Sequence, residues 1–435
     1  MKKSLFGIIL FLTMFLMPAV LNAQDGFGFG EGDFGFTGSS GPTLNIGGEV
    51  SAELTTFFDD FSSAENIKNA RLGDIFSGSL NFDVSNSMAE AVINLKIKPA
   101  FDDTGPIEID EAFVRAFFGP VSVLGGMRKL SWGKADSFGP LDLVNPLDYT
   151  DLTKLNSPQS IKIARPMIHG IWSIGAFSRL EAVFVPNFQG HRFAQTGRWV
   201  PSQIADLSQL FPLEEYYQDY KPTLEYAQAG LRYTTTLGSS DLGFQYYYGR
   251  LNRPRFILGP LGPDIDYNYY QQIGIDFASV LAGFNLRAEA AANITSDLDG
   301  KDGAVENPAL LWSLGFDRDL FAGINLNLQG TGHLRLLHGE LGQNPLTDIE
   351  AGTDMSSTRI TGILSRKFLR DELELKAIGY WGIEDSDFLF MPAIVWSRND
   401  VSVELSAGFF GGDSNGELGQ YKDNNFLSLI LTYKF

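Results

Sequence analysis

Between residue 44 and residue 435 the chain repeats one pattern about eighteen times, a stretch in which apolar or aromatic side chains alternate with polar ones. The stretches are 44–56, 77–84, 89–98, 107–117, 121–132, 161–174, 179–185, 224–235, 241–250, 269–277, 283–294, 309–317, 324–336, 357–365, 372–382, 388–397, 401–409 and 426–435. A strand points successive side chains to opposite faces, so each stretch reads as a strand with one greasy face. Most are close to the ~9–11 residues that a tilted strand needs to cross a bilayer. Short links (118–120, 237–240, 398–400) take turns with long ones (57–76, 133–160, 186–223, 410–425), and only 383–387 is short among the long set. A closed antiparallel transmembrane barrel has short turns at one rim and long loops at the other. A β-sandwich has no reason to keep that alternation. The fold class is therefore all-β: a transmembrane, antiparallel, up-and-down β-barrel of about eighteen strands, with sixteen as the alternative count. An even number brings both chain ends to the short-turn rim.

Composition agrees. Beyond the N-terminus no run approaches the ~20 apolar residues of a spanning helix. Mean hydropathy is −0.03 although Phe and Tyr number 35 and 15. Alternating lipid-facing and inward residues average out in this way. A net charge of −19 argues against nucleic acid as a partner, which needs a basic footprint. With no Cys there are no disulfides, thiolate metal sites or N-terminal lipid attachment. Lys2, Lys3, the apolar stretch 5–20 and Ala23 read as a signal peptide, residues 1–23. A Gly/Phe-rich segment follows at 24–43, read as a flexible tail or as a small plug carrying Phe27, Phe29, Phe34 and Phe36. The barrel occupies 44–435.

The alternation also assigns the faces. In 324–336 the Leu and Ile side chains face lipid, so Asn325, Asn327, Gln329, His333 and Arg335 face inward. By the same rule Asn285, Arg287, Glu289, Glu374 and Lys376 line the lumen. An interior this polar holds water, whereas a packed interior suits barrels of about eight strands. The long link 132–160 carries Phe138, Leu141, Leu143, Val144, Leu147 and Leu155. A loop in free solvent has no use for these, and a loop folded against the barrel wall does.

The last stretch, NNFLSLILTYKF, places Leu427, Leu429, Leu431, Tyr433 and Phe435 on one face. It resembles the terminal strand of bacterial outer-membrane barrels. That resemblance implies that Tyr433 and Phe435 belong to the signal read by the barrel-assembly machinery, and that the location is the cell outer membrane of a Gram-negative-type envelope. In architecture the chain resembles the sixteen- and eighteen-stranded porins, and link 133–160 resembles their third external loop, which folds into the channel. Trp132, Gly133, Asn145, Pro146, Leu147 and Asp148 also resemble a poorly characterised porin-like group. The likeness implies a constriction at Asp136, Asp142, Asp148 and Asp151, with Arg115 and Arg128 across from them. The alternative is that these aspartates cap turns and pair with Lys134 or Lys154.

The function expected is a porin-like channel for small hydrophilic or charged solutes, not an enzyme, with no cofactor, in contact with outer-membrane lipid. Monomer and homotrimer are both left open. A transporter of hydrophobic molecules, of the fatty-acid-channel type, and an adhesin or structural barrel are the alternatives. Asp297, Asp299 and Asp302 resemble part of a calcium loop, but Lys301 stands where an oxygen ligand is needed. Residues 204–211 read as a short amphipathic helix over the barrel mouth.

Overall fold

The computed structural model describes residues 42–63, 76–98, 107–210, 220–259, 262–344 and 347–435. The expected signal peptide and nearly all of the Gly/Phe-rich segment lie outside them. Eighteen strands form one closed antiparallel ring. They are β1 (Thr43–Phe57), β2 (Phe76–Ser85), β3 (Ala89–Ile97), β4 (Ile107–Phe118), β5 (Val121–Arg128) and β6 (Arg165–Ile174). Next come β7 (Ser178–Val185), β8 (Gln228–Leu237), β9 (Ser240–Arg250), β10 (Tyr269–Leu281), β11 (Phe284–Thr295) and β12 (Ala309–Asp319). The last six are β13 (Ile324–Arg335), β14 (Ser356–Phe368), β15 (Leu373–Gly382), β16 (Phe388–Arg398), β17 (Val401–Gly411) and β18 (Phe426–Lys434). Each pairs with its sequence neighbours, and β1 pairs with β18 from Glu49↔Lys434 to Phe57↔Phe426. Closure leaves no edge strand, so every ladder group inside lipid has a partner.

The seam is finished by backbone. Gly48 and Phe435 exchange N–H and C=O bonds of 3.0 Å each, and a Cβ on Gly48 would lie 2.8 Å from the Phe435 ring. The short turns use local chemistry. Asn86 accepts the Met88 and Ala89 N–H groups at 2.8 and 2.9 Å, and Gly119 supplies a φ of +60° between β4 and β5.

The exterior is the lipid face. At mid-barrel Leu314, Ile275, Leu429 and Ile394 are exposed. Aromatics flank them: Phe118, Phe177, Phe321 and Phe435 at the short-turn rim, and Tyr246, Tyr248, Trp381 and Phe388 at the long-loop rim. An apolar band between two aromatic girdles is the signature of a barrel in a membrane.

Three strands are clearly shorter than their alternation suggests; β8 begins at Gln228 rather than at 224, after a 3-10 turn at Leu224–Tyr226. β5 ends at Arg128 rather than at 132, and β6 begins at Arg165 rather than at 161. Asn145 is the reason. Its Oδ1 accepts the Leu130 N–H at 2.7 Å, while its Nδ2 donates to the carbonyls of Arg128 (2.9 Å) and Ile163 (2.8 Å). One buried amide clamps both ends of the link, so the chain leaves the ring earlier and returns later.

Candidate functional site

Residues 129–164 hydrogen-bond and pack against the inward faces of strands on both sides of the ring. On β9–β13 the contacts are polar. The Glu289 carboxylate accepts backbone N–H groups from Lys134, from Ala135 at 2.7 Å and from Leu141 at 3.3 Å. Gln329 accepts from Asp136 at 2.9 Å and Ser137 at 3.3 Å. Gln245 and Gln272 donate to the carbonyls of Leu141 (3.2 Å) and Pro140 (3.1 Å). Side chains from distant strands thus complete the backbone bonding of residues 134–141, which lie in no ladder. Gly133, at φ +91°, and Gly139 fit closely: a Cβ on either would fall on the Glu289 carboxylate.

On β15–β18 the contacts are apolar. Leu152, Leu155 and Ile161 join Ile378, Tyr380, Leu389, Met391, Phe410 and Phe426 in one buried cluster, and Tyr380 also donates to the Leu155 carbonyl at 2.8 Å. Gln245 on β9 and Phe426 on β18 stand nine strands apart in a ring of eighteen. The segment therefore reaches across the bore. Ala194 and Trp199, from the link after β7, enter the same cluster. That link carries helix α1 (Ser202–Leu210), whose Ser202 N–H donates to Gln420 at 2.7 Å. It is also tied to residues 147–149: His191 accepts the Leu147 N–H at 2.9 Å through Nδ1, and burial holds the His191 pKa down to about 3.

The charges expected at the constriction are all engaged. Asp136 meets Arg287 of β11 and accepts from Asn327 at 2.7 Å. Asp142 pairs with Lys162 at 2.5 Å; burial pushes its carboxyl up, against the pull of that lysine. Asp148 accepts from Thr150 at 3.0 Å and pairs with Arg192 at 3.2 Å. Asp151 caps a short 3-10 turn through the Thr153 N–H (3.1 Å) and meets Lys154 at 3.3 Å. Lys134 pairs instead with Asp241 of β9 at 3.2 Å. The partners of the expected basic residues lie elsewhere. Arg115 pairs with Glu90 at 3.0 Å, and the Arg128 guanidinium lies over Phe113, 4.8 Å from the ring centroid. The cations beside the aspartates are thus Arg287, Lys162, Arg192 and Lys154.

The inward positions read from the alternation have these settings. Asn285 and Arg287 both meet Asp317 at 2.6 Å, Asn325 donates to Asp319 at 2.9 Å, and Arg335 pairs with Glu350 at 2.5 Å. His333 sits in register with Ser357, and Glu374 and Lys376 with Lys367 and Ser365. Glu289 and Gln329 are covered by the segment. Sequence reasoning missed three features: Lys162 and Arg192 as partners, Gln245 and Gln272 as clamps, and the apolar inner wall. A signal for the last was present, since 388–391 and 409–410 are apolar at consecutive positions, not alternate ones. In the outer link after β11, Asp297 accepts the N–H groups of Gly300 (3.0 Å), Lys301 (3.2 Å) and Asp302 (3.1 Å), which uses its carboxylate to fold the loop.

The closed ring, its greasy band and its polar interior define a transmembrane β-barrel of the outer membrane. No family model matches the sequence, and no curated protein matches it. Among solved structures the chain is similar to OccK3 of Pseudomonas aeruginosa, with a TM-score of 0.51, 9% identity, and coverage of 90% of this chain and 95% of that one. It is also similar to OccK11 of the same organism (TM-score 0.49, 9% identity, 91% and 96% covered). A third is the outer membrane channel DcaP of Acinetobacter baumannii (TM-score 0.42, 10% identity, 92% and 99% covered). At such identities the likeness is one of fold.

Proposed function

We propose that this barrel is a porin-like channel through which small hydrophilic or charged solutes diffuse, and that residues 129–164 set its narrowest point. The observation that carries the reading is the anchoring of that segment on opposite walls, by Glu289 and Gln329 on one side and by the Tyr380 cluster on the other. An eighteen-stranded ring is too wide for its own side chains to fill, so a built-in segment is what brings the bore to solute size. Its apolar inner sector does not favour a hydrophobic-substrate transporter, because the segment's own Leu152, Leu155 and Ile161 occupy that wall.

Each constriction aspartate has a cation beside it, so the fixed charge nearly cancels locally. The channel then shows only a moderate ion preference, one that fades at high salt as the Debye length falls to about 3 Å at 1 M. Replacing Asp136, Asp142, Asp148 and Asp151 together by Asn leaves Arg287, Lys162, Arg192 and Lys154 uncompensated. The reversal potential in a salt gradient across a planar bilayer then moves toward anions. An unchanged reversal potential in a conducting variant sets these residues apart from the ion path, and purified, folded protein that gives no current steps counts against the channel.

A further inference from the structure

The inward wall holds sectors that differ in their contact with water. Behind the segment, at Gln245, Asp276, Glu289 and Ser313, the wall is sealed. Arg232 of β8 and Asp276 of β10 pair at 2.6 Å with side chains 4% and 0% exposed. On β3 and β4, toward the long-loop rim, the Lys96–Asp110 pair at 2.7 Å keeps side chains 37% and 22% exposed. A β-bulge shapes this second sector. The register between β3 and β4 shifts at Asn94/Leu95, so both Asp110 and Glu111 reach polar partners. Asp110 holds Lys96 and, at 2.6 Å, Lys129, the first residue of the infolded segment. Glu111 accepts from Asn94 at 3.1 Å and from the Lys129 backbone at 2.8 Å.

We infer that the water path of the channel runs along the inward faces of β2–β4, and that the row from the Glu90–Arg115 pair to the Lys96–Asp110–Lys129 cluster joins the segment's own charges in setting its selectivity. The inference rests on the channel reading above. Its physical basis is exchange. Pairs that keep contact with water are held more weakly than sealed ones, so a passing charged group can take the place of either partner. A fully desolvated pair such as Arg232–Asp276 gives up neither member readily. Because the row presents carboxylates and ammonium groups side by side, it suits small ions of either sign and small zwitterions, and it disfavours apolar solutes.

The absence of cysteine from the chain makes the test direct. Single-cysteine variants Ser79→Cys and Asn94→Cys place a thiol on the inferred path. Ser313→Cys places one on the sealed sector, where Ser313 is 4% exposed. The full-length protein is recorded in a planar bilayer while cationic and anionic methanethiosulfonate reagents are added. At Ser79→Cys and Asn94→Cys the current falls in steps, and the reversal potential shifts in opposite directions with the two reagents. At Ser313→Cys nothing changes. Block at Ser313→Cys with silence at the other two overturns the inferred path and leaves the channel standing. Silence at all three, with labelling confirmed by mass, also overturns it. Folded variants that carry no current at all remove both the channel and the path.

Discussion

Replacing Glu289 by alanine is expected to raise the single-channel conductance and to make the open current unsteady. Glu289 is the acceptor for three backbone N–H groups of the infolded segment, those of Lys134, Ala135 and Leu141. Leaving a buried donor unpaired costs about 1–3 kcal/mol, so losing three at once outweighs what holds residues 133–141 in place. The ring itself keeps every ladder bond of β11 with β10 and β12, because those are backbone pairs. The barrel therefore stays folded while the segment loosens. Glu289→Gln retains one acceptor oxygen and gives an intermediate result. Single-channel recording together with limited proteolysis of the folded protein reads both effects. Unchanged current and an uncut segment in Glu289→Ala mean that the segment is held by its apolar end alone.

A second large effect separates the two faces of the sheet. Leu314 is the central residue of β12 and is 61% exposed on the outer face. An arginine at the midplane of a barrel's lipid face costs about 2–4 kcal/mol. Leu314→Arg is thus expected to lower the unfolding free energy in lipid vesicles by that amount. Asn81 of β2 faces the bore, in register with Asn94 of β3. Asn81→Arg leaves stability within the spread of ordinary surface substitutions, about 0.5 kcal/mol. Urea titrations of the two variants in the same vesicles make the comparison. Equal losses mean that the faces are misassigned, since a shift of one residue exchanges every side chain between lipid and lumen.

The ring was legible because its signal is local and repeated. Period-two alternation marks most strands within a residue or two, with ends of β5, β6, β8, β10 and β14 off by three or four, and the unequal links mark the rims. The segment across the bore was legible only in part. Its apolar residues and its Asp-rich stretch showed that it packs against something, but its partners come from far along the chain: Arg287 is 151 residues from Asp136, and Tyr380 is 225 from Leu155. No period connects such pairs; they meet only because the ring closes. The same limit applies at 129–132, where the letters continue the β5 alternation while the Leu130 N–H bonds to Asn145 and not to a neighbouring strand. At 388–391 the polar alternate is missing because the inner wall there packs on Leu152, Leu155 and Ile161 and not on water. Arg115 shows the converse. Its position on an inward face was readable, yet its charge is taken by Glu90, directly opposite on β3.

The central claim is that an infolded segment sets the size of a water-filled bore. Replacing residues 135–156 by a short Gly/Ser link removes the anchored stretch, the Asn145 clamp with it, and takes Leu152 and Leu155 out of the Tyr380 cluster, while the eighteen-strand ladder is untouched. Single-channel conductance of this variant beside the full-length protein, in the same planar bilayer and salt, is the most direct measurement. The account predicts a conductance well above that of the full-length protein from a barrel that is still folded and heat-modifiable. A folded variant with the same conductance contradicts it.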